Sequence, residues 1–177
     1  LLDQFKDYHI CGGFIQTRHS AGEFEEFGSA ENVEFYKDYR TNYRFNFDED
    51  DVLLQKMHKS SKRYSKKILA DTKNYKLKKI SHDDLDSIEL FSNMYQNTSI
   101  RLKFSKSYQF GHQSWILLLS SEVSELYLLY YKNKLVSGTV INPVTGGFDY
   151  TFVTHDLEFK NSGRANALFL AKYLRQN

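Results

Sequence analysis

The chain has 177 residues, 41% hydrophobic and 16% aromatic, which is enough to bury the core of one domain. A single Pro and 9 Gly argue against disorder, and no apolar run approaches the roughly 20 residues that span a bilayer. The only cysteine, Cys11, excludes an internal disulfide framework and suits a reducing compartment, so we expect a cytoplasmic protein. Because the chain starts without Met and ends in a helical pattern, we expect part of a longer protein.

The formal net charge of +2 conceals an uneven distribution of basic residues. Between Lys56 and Lys79 lie 10 of the 24 Lys and Arg residues but only one acid, Asp71. The stretch 48–71 predicts one amphipathic helix, with the acids 48–51 at its N-terminus. Its apolar stripe consists of Leu53, Met57, Tyr64 and Ile68. Such a helix can present a cationic face to an anionic partner, although a solvated surface helix fits the pattern equally well.

The remaining periodicities predict a regular order of elements. Strand-like alternation occurs early, at 14–18, 32–36 and 39–47, and again at 75–80. Helices follow from a cap at 81–84 to about residue 97, and then near 107–121. The last third predicts strands at 125–132, 135–141 and 148–153, joined by tight turns, and a helix at 164–174. This order predicts an α+β fold with a mixed, mainly antiparallel sheet flanked by helices.

Several short motifs, in this order, resemble the GNAT acyltransferase fold, and within it the FemAB-like branch of Fem-type aminoacyl and peptidyl transferases. The motifs are the strand 14–19, Arg63-x-x-x-Lys67-Ile68, Thr98-x-x-Arg101-x-x-Phe104, Gly138, and Asp149-Tyr150-Thr151. The resemblance implies two GNAT-like subdomains. Residues 1–50 would be the C-terminal strands of the first. Residues 51–177 would be the second, incomplete at its C-terminus and without a late lysine implicated in acyl transfer.

The resemblance implies an N-acyltransferase or aminoacyltransferase that acts on an amine of a cell-wall or surface-glycan precursor, as in peptidoglycan. It implies no resident cofactor, since the donor, aminoacyl-tRNA or acyl-CoA, would be a co-substrate. One alternative is a CoA-dependent GNAT acetyltransferase acting on a sugar or small amine. For that reading, 161–165 stands where a phosphate loop would lie, with Gly163 as its single glycine. Another alternative is a non-catalytic anion-binding module that uses the basic helix.

Two residues are the leading candidates for binding substrate. The resemblance implies that Arg101 contacts a phosphate or carboxylate, for which a guanidinium is well suited. It also implies that Tyr150 lines the cleft, where its hydroxyl can bind substrate. We expect the Arg101 side chain to point into a groove beside the strand that holds Tyr150. The competing readings are a surface arginine and a core tyrosine.

The catalytic candidates are His155 and Asp156, just past the Tyr150 strand, where a general base could reach an amine. Neighbours in an extended chain point apart, which argues against a paired His-Asp dyad. The lysine-rich helix adds Lys62, Arg63 and Lys66 as candidates for binding a tRNA backbone or a nucleotide-linked precursor. The sequence contains no G-x-S-x-G motif or P-loop, and its six histidines show no metal-ligand spacing.

Overall fold

The computed structural model describes residues 54–55, 57–144 and 147–176. The strands expected within 14–47, and the start of the basic helix at 48–53, lie outside the described residues. The helices are α1 (Lys59–Ala70), α2 (Leu85–Arg101), α3 (His112–Ser120) and α4 (Ser162–Gln176). The strands are β1 (Tyr75–Ile80), β2 (Glu125–Tyr131), β3 (Lys134–Val144) and β4 (Gly147–His155).

The four described strands form one antiparallel sheet in the order β1-β2-β3-β4. The predicted meander of the last three strands is therefore confirmed, and with it the α+β class. The pairing of β3 with β4 shifts where Val140 lies opposite Phe152 and Ile141 lies opposite Tyr150. Thr151 is consequently the extra residue of a β-bulge, which leaves it outside the ladder.

The helices cover both faces of the sheet. Leu126 and Leu128 of β2 pack with α2 and α3, whereas Tyr127 and Leu129 face α1 and α4. This alternation follows from the two-residue period of a strand. The first face carries an aromatic cluster whose centre is Trp115, 1% exposed. Among the residues that the structure describes, no helix has both the length and the apolar character needed to cross a membrane.

The basic helix is shorter than the sequence predicts. It begins at Lys59, after His58, whose backbone is extended with ψ 146. Met57 lies in a separate turn, in which its N–H donates to the Leu54 carbonyl at 3.3 Å. The first turn of α1 carries no acidic residue. The prediction of one continuous helix over 48–71 was therefore wrong, because the described part of that stretch is interrupted at residues 57–58. The acids at 48–51 lie outside the described residues.

Two other helix boundaries differ from those predicted. Asp84 caps α2 by accepting from the Ser87 N–H at 3.1 Å, and the helix continues to Arg101, beyond the expected end near residue 97. The Thr98-x-x-Arg101 motif therefore forms the last turn of α2 instead of a connector. The helix expected from 107 begins only at His112, because residues 106–108 form a separate 3-10 turn.

Candidate substrate-binding site

Polar side chains from β3, β4 and α4 meet on the sheet face that α4 covers. Thr139 of β3 donates its hydroxyl to Asn166 Oδ1 at 2.6 Å. Tyr150 of β4 donates to the same oxygen at 3.2 Å. Thr139 and Asn166 are fully buried, whereas Tyr150 is 43% exposed. The cluster therefore links a buried amide to a tyrosine that solvent can reach.

Burial raises the pKa of the Tyr150 hydroxyl. The phenol is therefore uncharged at neutral pH. A neutral phenol can bind a ligand by hydrogen bonding but carries no charge with which to attract it.

His155 is the last residue of β4 and faces the first turn of α4. Its Nδ1 atom is buried and has no hydrogen-bond partner in the described part of the chain. A Cβ atom placed at Gly163 would lie 3.5 Å from that nitrogen. An unpartnered imidazole nitrogen retains its capacity to accept or donate a proton. The position is consistent with the predicted role of a general base, which stays a prediction.

Asp156, the residue after His155, is engaged elsewhere. Its carboxylate lies 2.8 Å from Lys134 Nζ and accepts a second bond from the Glu158 N–H at 2.9 Å. The hydrogen bond from Lys134 lowers the pKa of Asp156. These contacts tie the segment after β4 to the start of β3. A carboxylate with a lowered pKa is a weak general base, so the geometry favours His155 over Asp156 for that role.

A cluster of positive charges lies where α1 meets the start of α4, around the ring of Tyr64. Arg63 lies 5.2 Å from the ring centroid, Arg164 lies at 5.4 Å and Lys160 at 5.9 Å. A hydrogen bond from Arg63, followed by the charge of Lys160, lowers the pKa of the Tyr64 hydroxyl. None of the three cations forms an ion pair with a described acid.

We call this set the Tyr64 cluster: Arg63, Tyr64, Lys160 and Arg164. Arg164 also donates to Asn161 Oδ1 at 3.0 Å, which holds it beside the N-terminus of α4. Three like charges around one ring repel each other, and a helix N-terminus adds a further partial positive charge. The arrangement therefore favours an anion.

The other predicted cations of the basic helix lie on α1. Lys62 is half-exposed, and Arg63 and Lys66 are exposed. Of these three, only Arg63 belongs to the Tyr64 cluster. A role for Lys62 and Lys66 in binding a partner stays a prediction.

The described contacts do not bring Arg101 and Tyr150 together. Arg101 is exposed at the end of α2, which packs on one sheet face. The Tyr150 hydroxyl contacts α4, which packs on the other face. The expected groove, with Arg101 pointing toward Tyr150, is thus not supported. The sheet lies between α2, which ends at Arg101, and the face on which the Tyr150 hydroxyl meets α4. The individual binding roles of these residues stay predictions.

The sequence reasoning missed Thr139 and Asn166. Asn166 was overlooked because a single polar residue within the predicted 164–174 helix gives no periodic signal of its own. In the structure Asn166 is buried and Ala167 is exposed. A polar residue at a core position of a helical pattern is the signal that would have found it. Among the described residues, no group of three His, Cys, Asp or Glu side chains could hold a metal.

No protein-family model matches the sequence, and no protein of curated function matches it. Similar solved structures include an aminoglycoside acetyltransferase from an uncultured soil metagenomic sample, in complex with sisomicin. It is 14% identical, with a TM-score of 0.45, and the match covers 58% of this chain and 70% of that one.

A second similar structure is a ribosomal-protein-alanine N-acetyltransferase from Brucella melitensis biovar Abortus 2308. It is 14% identical over 58% of this chain and 72% of that chain, with a TM-score of 0.43. A third, from Staphylococcus aureus subsp. aureus, is assigned to the GNAT acetyltransferases and is 13% identical. That match covers 56% of this chain and 91% of the other, with a TM-score of 0.43. At these identities and scores the likeness assigns neither a family nor an activity to this chain.

Proposed function

We propose that this chain is part of an N-acyltransferase, which moves an acyl or aminoacyl group from a phosphate-bearing donor to an amine. The observation that carries the proposal is the Tyr64 cluster at the N-terminus of α4, next to the polar side chains under that helix. Both expected donors, acyl-CoA and aminoacyl-tRNA, carry phosphates. As a finer proposal, in line with the FemAB-like motifs, the acceptor amine belongs to a cell-wall or surface-glycan precursor.

The start of α4 supports binding of a phosphate. Asn161 has a positive φ of 68° immediately before the helix begins at Ser162. The Ser162 N–H donates to the Phe159 carbonyl at 3.2 Å, but the next two N–H groups of the helix have no intrahelical partner and can donate to phosphate oxygens. Arg164 and Lys160 flank this junction and supply formal positive charge. A guanidinium and a helix N-terminus together bind a phosphate more strongly than either alone.

The neighbouring strand supports the transfer chemistry. In the proposed reaction the neutral amine attacks the acyl carbonyl, a C–N bond forms, and the C–S or C–O bond of the donor breaks. The proton released by the nitrogen goes to His155, and the leaving thiolate or alkoxide takes up a proton from solvent. The bulged residue Thr151 has a backbone N–H outside the ladder, which is a candidate donor for the developing oxyanion.

A specific observation favours the CoA-dependent alternative. Residues 160–165 place Lys160, Gly163 and Arg164 around one helix N-terminus, which suits a compact pyrophosphate. A tRNA would also need a longer cationic track, and α1 offers one through the exposed Lys66. The two donors therefore share Arg164 but differ in their use of Lys66.

Calorimetric titration of the 177-residue chain with acetyl-CoA and with tRNA tests the proposal. Charge reversal by Arg164→Glu should weaken binding of either donor at least tenfold. Lys66→Glu should weaken tRNA binding and flatten its salt dependence, but leave acetyl-CoA binding within about twofold. The matched control is Lys106→Glu, which reverses an exposed lysine in the 3-10 turn after α2.

The outcome separates the proposed functions. Acetyl-CoA binding that depends on Arg164 but not on Lys66 selects the CoA-dependent enzyme. tRNA binding that depends on both selects the aminoacyltransferase. Binding of any polyanion, equally weakened by every charge reversal including Lys106→Glu, would replace the enzyme with a non-catalytic anion-binding module. If neither donor binds, the proposal is wrong.

A further inference from the structure

The hydrogen-bond direction within the cluster under α4 follows from its distances. Thr139 Oγ1 lies 2.6 Å from Asn166 Oδ1, a separation typical of O–H···O bonds and short for an N–H donor. The distance therefore favours the carbonyl oxygen of Asn166, not its amide nitrogen, as the atom that faces Thr139. Tyr150 Oη lies 3.2 Å from that same oxygen. Because a carbonyl oxygen can only accept, both hydroxyls must donate to it.

This direction determines what Tyr150 can bind. A phenol has one proton, and the buried Asn166 carbonyl uses it. The contact between Thr139 and Tyr150 is long, at 3.5 Å, and the Thr139 proton is already committed to Asn166. The Tyr150 oxygen therefore keeps lone pairs that can accept. An oxygen that can only accept binds an N–H or O–H group, and it does not bind a carbonyl oxygen or an unprotonated phosphate oxygen.

The unpaired nitrogen of the Asn166 amide supports the same conclusion. Asn166 Nδ2 is buried and has no partner in the described part of the chain, while the residue as a whole is 0% exposed. A leucine of similar size would avoid this unsatisfied donor, whose burial is unfavourable. Packing alone therefore does not explain an amide at position 166. Orientation of the Thr139 and Tyr150 hydroxyls explains why an amide stands at this position.

We propose that Asn166, held by Thr139, is a positioning residue that engages the Tyr150 proton and makes Tyr150 a hydrogen-bond acceptor for the amine substrate. The inference rests on the transfer reaction proposed above, and it names the acceptor amine, not the donor, as the ligand of Tyr150. An amine that donates one N–H to the Tyr150 oxygen keeps its nitrogen lone pair free for attack on the acyl carbon. Tyr150 as a residue is 43% exposed, whereas Thr139 and Asn166 are 0% exposed, so of the three only Tyr150 meets solvent.

The test uses the whole chain labelled with ¹³Cζ-tyrosine, with the Tyr150 signal assigned from its loss in Tyr150→Phe. The amine probe is Nα-acetyl-L-lysine methylamide, and the anion probe is inorganic phosphate. We expect the amine to shift the Tyr150 signal saturably and phosphate to leave it unchanged. Tyr108, which is 52% exposed, supplies an internal reference signal.

Matched substitutions then test the positioning role. Thr139→Val removes the hydroxyl that holds the amide and should weaken amine binding about three- to tenfold, the effect of losing one oriented hydrogen bond. Thr139→Ser keeps the hydroxyl and should stay within about twofold of the unsubstituted chain. Asn166→Leu should weaken binding as Thr139→Val does. If circular dichroism shows that Asn166→Leu does not fold, the comparison of amine affinity between Thr139→Val and Thr139→Ser is the test of the positioning role.

Three results would overturn the inference: a Tyr150 signal that responds to phosphate, no response to the amine, or equal amine affinity in Thr139→Val and Thr139→Ser. Failure of the transfer function is recognised separately. Amine binding at Tyr150 in a chain that binds neither acetyl-CoA nor tRNA would refute the acyltransferase but retain the amine site. Binding of acetyl-CoA or tRNA without an amine response at Tyr150 would refute the amine site but retain the acyltransferase.

Discussion

Gly138 of β3 lies against Phe91 of α2, and adding one methyl group there tests how tightly the helix and the sheet pack. A Cβ atom at this position would lie 2.5 Å from Phe91 Cδ2 and 2.9 Å from Leu128 Cδ2. Ordinary carbon contacts are about 3.5–4.0 Å, so Gly138→Ala must displace Phe91 by roughly 1 Å. Phe91 is 0% exposed, and its ring centroid lies 4.9 Å from that of Trp115, which leaves little room to move.

We therefore expect Gly138→Ala to destabilise the fold. Overpacking of a core destabilises a fold by about 1–3 kcal/mol. Alanine also lowers the conformational entropy of the unfolded chain, which stabilises the fold by about 0.4–1 kcal/mol. The middle of each range gives a net loss of about 1.3 kcal/mol in the free energy of unfolding, which should appear in urea denaturation with a melting temperature lower by roughly 3–5 °C. Gly111→Ala is the control for overpacking, because no heavy atom lies within 4 Å of its Cβ position. Gly111 is the N-cap of α3, so any loss of stability there reports the cap and not a steric clash.

A second substitution identifies the cause. Phe91→Leu removes the ring atoms that the new methyl group meets. In a double-mutant cycle, Gly138→Ala should therefore cost less in the Phe91→Leu background than in the unsubstituted chain. A Gly138→Ala variant as stable as the unsubstituted chain, or one whose cost is the same in both backgrounds, would refute the packing argument.

Three further perturbations act on the elements that surround the site. Thr98→Val removes one member of a buried hydroxyl pair, 2.7 Å from Thr154 Oγ1, and should lower the free energy of unfolding by about 1–2 kcal/mol; a change below about 0.3 kcal/mol would contradict this. Gly163→Ala improves helix propensity and should leave the melting temperature unchanged or higher while it weakens acetyl-CoA binding in calorimetry; unchanged binding would exclude close approach of a ligand there. Lys134 lowers the pKa of Asp156, so the stability from this carboxylate is present above its ordinary pKa of about 4 and is lost as pH falls through the lower folded-state pKa. Asp156→Asn should therefore be less stable at pH 7, with urea midpoints that converge at low pH; a pH-independent difference would count against the ion pair.

Much of the fold could be predicted because its signals lie between near neighbours in sequence. The 75–80 strand, a helix cap within 81–84 and the three-stranded meander were all predicted from alternation, capping and turn residues; the structure assigns the cap to Asp84. The start of α1 was not, because the acids at 48–51 suggested a helix N-terminus. The break at His58 instead reflects a separate turn, and Ser65, buried on α1, donates to Met57 Sδ at 3.3 Å.

The candidate site was only partly predictable. Tyr150 and His155 stand on a strand that the resemblance singled out, and they were named before their surroundings were visible. Their partners were not named, because a contact between positions 139, 150 and 166 depends on the register of β3 with β4 and on the bulge at Thr151. A one-residue change of register would place these side chains on opposite faces of the sheet.

The sequence by itself determined the kind and order of the elements and the concentration of positive charge between residues 56 and 79. It did so because periodicity, caps and charge runs act over a few residues along the chain. The tertiary structure alone decided which polar groups meet under α4. It also decided that α2, which ends at Arg101, covers the face opposite to the one on which the Tyr150 hydroxyl meets α4. Those outcomes depend on strand register and on which face each helix covers, and no local pattern encodes either one.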